Sequence, residues 1–207
     1  MLARSGLKAN EIVQAMPGML NTAAASQTDL ALASDIVTDV LSEFNLKASE
    51  TGRVADVLTY GVNNSNSTME DFGYAMKYAG PIASTAGYSM ESLGASIALM
   101  SMHGIKASQA GTSLRQIITR LAAPPKPAAN ALYELGIKTE DAAGKMKPLS
   151  TIIGEVIEKT KGYTDAEKIR IEKQLAGQTA LSGFAALMHE GRDEIDKFTD
   201  AMKGSAG

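Results

Sequence analysis

Residues 110–127, "AGTSLRQIITRLAAPPKP", decide how the middle of this chain folds. An amphipathic run with two arginines meets three prolines within four residues. On a helical wheel of about 100° per residue, Ala110, Ile117, Ile118 and Leu121 fall within roughly 40–60° of Leu114, forming one apolar stripe. Arg115 and Arg120 land on opposite flanks, each about 110° from the stripe's centre. Two arginines that point apart do not build one phosphate-binding face. Boundary arginines lay their stems along a core and bond neighbouring helix ends. The residue before a proline disfavours the α region, so "AAPPKP" is expected to stop the helix.

The rest of the chain repeats this pattern. Asn10 is expected to cap a helix to about Ala25 carrying Ile12, Met16 and Met19, which Pro17 should kink or split. Thr28 caps a second to about Phe44, burying Leu30, Ile36, Val37, Val40, Leu41 and Phe44. Ser49 opens a third to about Val62 with Val54, Val57 and Leu58 inside, and "NNSNS" ends it. Thr68 caps a fourth, with Met69, Phe72, Met76 and Ala79 in register and Pro81 interrupting. Ser89 starts a fifth, where Met90, Leu93, Ile97 and Met100 step at helical intervals until Gly104.

After the prolines, "AANALYELG" ends at a C-cap Gly136. Ile137 and Lys138 against Met146 and Lys147, around an Asp-Ala-Ala-Gly turn, suit a two-stranded ribbon. Pro148 and Ser150 begin a helix to about Lys161. Thr164 and Glu167 form a capping box for another to about Ala176. Two more span roughly 178–190 and 192–203, punctuated by Gly177 and Gly191, and "KGSAG" frays. Gly6 aligned with Gly87 matches several apolar positions, which shared helical period explains. The expected fold is therefore all-α: a bundle of about nine to eleven short helices over 1–207, with at most one small β-ribbon near 137–147. The proline cluster at 123–127 is the place where subdivision is conceivable.

Composition agrees with closely packed helices. Aromatics are 5% and Trp is absent, so core volume falls to Ala, Leu, Ile, Val and 11 Met. The net charge of −3, with signs interspersed, recruits neither DNA nor an anionic membrane. Without Cys there is no disulfide framework and no thiolate metal site. No stretch of 18 apolar residues occurs and the start lacks a signal-peptide pattern, so a soluble chain, or a soluble piece of a longer one, is expected.

No catalytic constellation emerges. His103 and His189 are far apart in sequence, and each is expected to bond the last carbonyls of a helix. His189-Glu190 begins like a zinc-protease helix, but Asp193 stands where the second His belongs. Gly144-Lys145 lacks the upstream Gly of a phosphate loop, because Thr139 occupies that position. "GYSMES" and "GTSLR" miss the last Gly of a nucleophile elbow. Glu140, Asp141, Asp193 and Asp196 lie in polar stretches where nothing raises a pKa. No catalytic, cofactor-binding or metal-binding residue is assigned, and no cofactor is expected.

"GIKASQAGTSLRQIITRLAAP" followed by "ALYELGIKTEDAAGKMKPLSTIIGEV" resembles the core region of tail tape measure proteins of long-tailed bacteriophages. The residues that carry the likeness include Gly104-Ile105, Gly111, Ser113-Leu114-Arg115, Arg120-Leu121, Pro124, Leu135-Gly136-Ile137, Asp141, Gly144-Lys145 and Gly177 with "TALSGFAAL". The upstream "ADVLTYGVNNSNSTMED" and "YAGPIASTAGYSMESLGASIALM" are similar to that family as well. The resemblance implies a non-enzymatic virion protein that sets tail length during assembly, occupies the tail lumen and leaves ahead of the genome. The resemblance further implies synthesis in the host cytoplasm. The implied partners are other copies of the tape measure protein, tail tube and tail tip proteins, and tail assembly chaperones. Sequence-specific nucleic acid is not implied, and membrane contact would occur only during ejection. Such proteins are usually much longer, so this chain is expected to be a segment of one. Two rival readings are a cell-wall hydrolase module, which the absent zinc ligands and nucleophile disfavour, and a membrane- or host-binding module built on the Met-rich helices at 69–76 and 90–102. The latter lack the Lys/Arg-rich face of an interfacial helix.

Overall fold

The computed structural model describes residues 9–205, and among them the chain is all-α, with ten α-helices and no strand. The elements are α1 (Ala9–Ala25), α2 (Leu30–Glu43), α3 (Thr51–Asn63), α4 (Met69–Thr85), α5 (Met90–Met102), α6 (Ala107–Ala122), α7 (Lys126–Leu135), α8 (Leu149–Lys159), α9 (Asp165–Ala176) and α10 (Leu181–Gly204). A 3-10 turn, Ala48–Glu50, precedes α3.

The bundle is organised around α5. Its residues from Met90 to Ser101 are buried apart from Ser92, and α3, α4, α6 and α10 all pack on it. A helix with no polar face belongs in the interior, and small residues let its neighbours approach. A Cβ on Gly94 would sit 3.0 Å from the Met202 sulfur of α10. The apolar cluster is continuous from Ala15 to Met202.

Local sequence accounts for most boundaries. Thr68 and Asp71 form a reciprocal capping box at α4, and Thr164 and Glu167 form the expected one at α9. Ser89 accepts from the Ser92 N–H at the start of α5. Gly136 closes α7 in the left-handed region at φ 67°, donating to the Leu132 and Tyr133 carbonyls.

Several expectations need correction. Asp29, not Thr28, caps α2, accepting from the Ala31 and Leu32 N–H groups; a carboxylate one residue on is the stronger acceptor for the free amides. Leu30 is 39% exposed because it occupies the outward side of the first turn. The third helix begins through the 3-10 turn rather than at a Ser49 cap. The helix after Gly177 starts at Leu181, since residues 178–180 form a turn.

The prolines at 17 and 81 break neither helix; α1 and α4 run through them. Both rings lie on the exposed side. The carbonyls they orphan, four residues earlier at Val13 and Lys77, belong to exposed residues and can turn to water. Buried Ala15 and Met19, and buried Ala79 and Ala83, pack the opposite side of each helix into the core.

The ribbon is smaller than expected and shifted in register. A single antiparallel bridge joins Glu140 to Met146, flanked by Lys147 N–H to Thr139 O and Asp141 N–H to Lys145 O, both 2.8 Å. Asp141 curls the tip by accepting from the Ala143 and Lys145 amides, which leaves too little chain for a second bridge. α1 already includes Ala9, so Asn10 lies within the helix and is not its expected cap; part of the expected fraying at "KGSAG" falls outside the described residues, although Lys203 and Gly204 are helical.

Candidate functional site

The block that carries the family likeness folds into one joint built on α6. Gly111 lies where α6 crosses α4: a Cβ there would stand 2.5 Å from the Ala75 carbonyl oxygen and 2.7 Å from the Tyr78 Cβ. Leu114, Ile117, Ile118 and Leu121 are buried to within 1%, which is the stripe read from the wheel. α6 ends at Ala122, and Pro125 is the cap residue of α7. Pro124 therefore sits in the short link, where its lost N–H breaks no helix.

The two arginines separate as their flanks dictate. Arg120 donates to the Leu175 carbonyl (2.9 Å) and the Gln174 carbonyl (2.7 Å), and Gln116 donates to the Ala176 carbonyl at 2.8 Å. Three orphan acceptors at the end of α9 are thus satisfied from α6, and the guanidinium also meets the negative end of that helix. Arg115 is exposed and makes no ion pair among the described residues. Gly136 closes α7, and Gly144 (φ 75°) turns the loop tip whose lysine, Lys147, pairs with Glu155 at 2.7 Å. Tyr88 anchors the same loop through its hydroxyl, which donates to the Lys147 carbonyl; burial pushes that phenol up to about 12.

The carboxylates follow their surroundings. Two backbone amides hold Asp141 below its ordinary pKa, and Arg170 does the same for Glu134. One buried and one half-buried acid had escaped the sequence reading. Glu91 is 2% exposed in its side chain and takes both Nε (2.8 Å) and Nη2 (2.6 Å) of Arg53, which also reaches Glu50. Its signal was a lone charge inside the apolar run "MESLGASIALM". Glu43 lies against Gly80 with Oε2 buried and unpartnered; desolvation, then Asp39, raises it to about 7. Nothing in the local sequence announces that burial.

The histidines also depart from expectation. Neither ring bonds a terminal carbonyl of its own helix. The helix α10 breaks at Gly191 (φ 76°, ψ 178°), and this presents His189 and Glu190 to the end of α5. His103 Nε2 lies 2.5 Å from Glu190 Oε1, and the two imidazoles meet edge to face with centroids 5.1 Å apart. Sequence distance concealed the group, because α5 and α10 are neighbours only in the folded bundle. Among the described residues no helix is long and apolar enough to cross a membrane.

This joint combines a glycine crossing, a buried stripe and a helix-end arginine. The chain is 41% identical over 206 residues to the tape measure protein of Pneumococcus phage Dp-1, covering all of this chain and 18% of that protein. It is 32% identical over 210 residues to a probable tape measure protein of Escherichia phage P2, again across the whole chain and 26% of the relative. A probable tape measure protein of Halomonas phage phiHAP-1 is 26% identical over 166 residues, 78% of this chain and 19% of that one. The chain thus spans about a quarter or less of the length of these relatives. No solved structure matches. The family described as phage-related minor tail protein matches residues 1–177, and the chain belongs to that family.

Proposed function

We propose that this chain is a folded, non-catalytic helical segment of a tail tape measure protein, and that it helps set tail length by the axial distance it occupies. The carrying observation is the similarity to tape measure proteins along the full chain, at 41% identity to one of them. The site geometry supports a mechanical role: buried stripes, a glycine crossing and a helix-end arginine account for the characteristic block. In this reading the segment resides in the tail lumen, associates with other tape measure copies, tube and tip proteins and assembly chaperones, and leaves at ejection.

The test is electron microscopy of tails from phage carrying an in-frame deletion of the segment. As one continuous helix, the 207 residues would span about 310 Å at 1.5 Å per residue. As a compact domain the radius of gyration is about 17 Å, hence a width of several tens of Å. Tails shortened by much less than the helical value support a compact ruler element. Shortening near 1.5 Å per deleted residue supports a ruler that is stretched in the tube. Unchanged length in well-formed tails overturns the role.

A further inference from the structure

We propose that His103, His189 and Glu190 form a surface site for one divalent transition-metal ion of the zinc type, which staples the end of α5 to the break in α10. One ligand atom from each of the three side chains lies within 4.8 Å of the others, and no other such group of three occurs among the described residues. His103 Nε2 is 2.5 Å and His189 Nδ1 is 3.6 Å from the same carboxylate oxygen, Glu190 Oε1. Tetrahedral zinc with bonds of about 2.0–2.2 Å needs its ligand atoms roughly 3.3–3.5 Å apart. One separation is therefore already near the required value. A second requires the His103–Glu190 hydrogen bond to open by about 1 Å, and the third, between the two imidazole donors, lies within 4.8 Å and must close by at most about 1.5 Å; both are side-chain rotations rather than backbone changes.

The donors choose the class of ion. Two imidazoles with one carboxylate suit zinc, nickel or cobalt, whereas magnesium and calcium prefer all-oxygen shells. Backbone placement favours a cation independently of the side chains. His103 is the C-cap residue of α5, and His189 and Glu190 end the first half of α10, so the negative ends of two helices converge on the site. Both elements are held in place. Gly104 leaves α5 at φ 79°, and Gly183 lets α10 lie directly on Met100 and Ser113. A direct His103–Glu190 bond explains two of the residues but not the second imidazole, which is brought to the same oxygen while 76% exposed. Three protein ligands leave the fourth position to water or to a donor from another molecule. The inference does not depend on the tape measure reading.

The experiment uses the untagged 207-residue chain after chelator treatment, titrated with zinc sulfate by calorimetry and by thermal melting, with magnesium as a control. One ion per chain is expected. Zinc at about a hundred times its Kd should raise Tm by roughly 5–10 °C, and chelator should reverse the rise. His103→Ala and His189→Gln should each raise Kd by more than about tenfold, with far-UV circular dichroism unchanged. Cobalt(II) should show the intense visible bands of a tetrahedral centre in the parent chain and lose them in both variants. His189 is the most exposed of the three, so its variant decides the matter even if His103→Ala is poorly folded. No zinc-dependent heat or melting shift in the parent chain overturns the proposal, as does an equal shift in His189→Gln.

Discussion

Gly111→Ala tests whether the α4–α6 crossing is as close as described. The substitution places a methyl carbon 2.5 Å from the Ala75 carbonyl oxygen, where ordinary contact begins at 3.4 Å. The obstacle is main chain and cannot rotate away, so the helices must part by about 0.9 Å. A gap of that order forfeits about a quarter to a half of each dispersion contact along the crossing. Overpacking of this kind costs about 1–3 kcal/mol, and a backbone obstacle puts it at the upper end. Alanine returns about 1 kcal/mol through its better helix propensity. The net expectation is a loss of about 2 kcal/mol, a Tm lower by roughly 4–8 °C for a chain of this size. Gly52→Ala is the matched control: it too lies inside a helix, but its Cβ meets nothing within 4 Å, so it should gain about 0.4–1 kcal/mol. Thermal and urea melts of both variants supply the comparison. If Gly111→Ala matches or exceeds the parent chain as Gly52→Ala should, the crossing is not tight and the argument fails.

Truncating Leu114 or Leu121 to Ala should cost about 2–5 kcal/mol, against under about 0.5 for Thr112→Ala; equal denaturation midpoints would contradict the buried stripe. Arg120→Met keeps the stem but removes two donors from the end of α9, and should cost about 1–2 kcal/mol, while Arg115→Ala stays within about 0.5; similar losses would mean that Arg120 does not cap α9. Glu43 titrates at about 7 in the fold against 4.5 unperturbed, so its charge opposes folding. Stability should be fully retained below about pH 4.5 and fall as pH rises through 7. The whole shift corresponds to about 3 kcal/mol, which partial exposure reduces to about 1–2. Urea melts from pH 5 to 8 should show that decline in the parent chain and a flatter profile in Glu43→Gln.

The fold was legible where local chemistry and burial agree. The α6 stripe, the Thr164–Glu167 box and the Gly136 cap each combine a periodic signal with a residue whose side chain or φ suits one position. The errors arose where tertiary context overrules the local signal. Pro17 and Pro81 remain inside helices because both flanks are packed and the lost bonds face water. α5 was read as a stripe but is enclosed on every side, and its Gly, Ala and Ser positions gave no amphipathic warning. The α6 joint could be read from 110–127 alone, except for its acceptors on α9, which lie more than 50 residues away. The His103–Glu190 contact closes 87 residues, and Glu43 is half-buried against Gly80 of another helix; no local window contains either fact.

The left-handed glycines at 87, 104, 136 and 177, with the break at Gly191, have a mechanical consequence. With the other turns they leave six of the ten helices, α2, α3, α5, α7, α8 and α9, only 10–14 residues long, near or below the 12–15 or so residues under which an isolated helix is marginal in water. Pulled from its ends, such a bundle has no rod-like halfway state in which the helices persist once side-chain packing is lost. Each ruptured interface would release its segments as coil, up to about 3.3–3.6 Å per residue, so that compactness stores contour length and yields it in discrete steps.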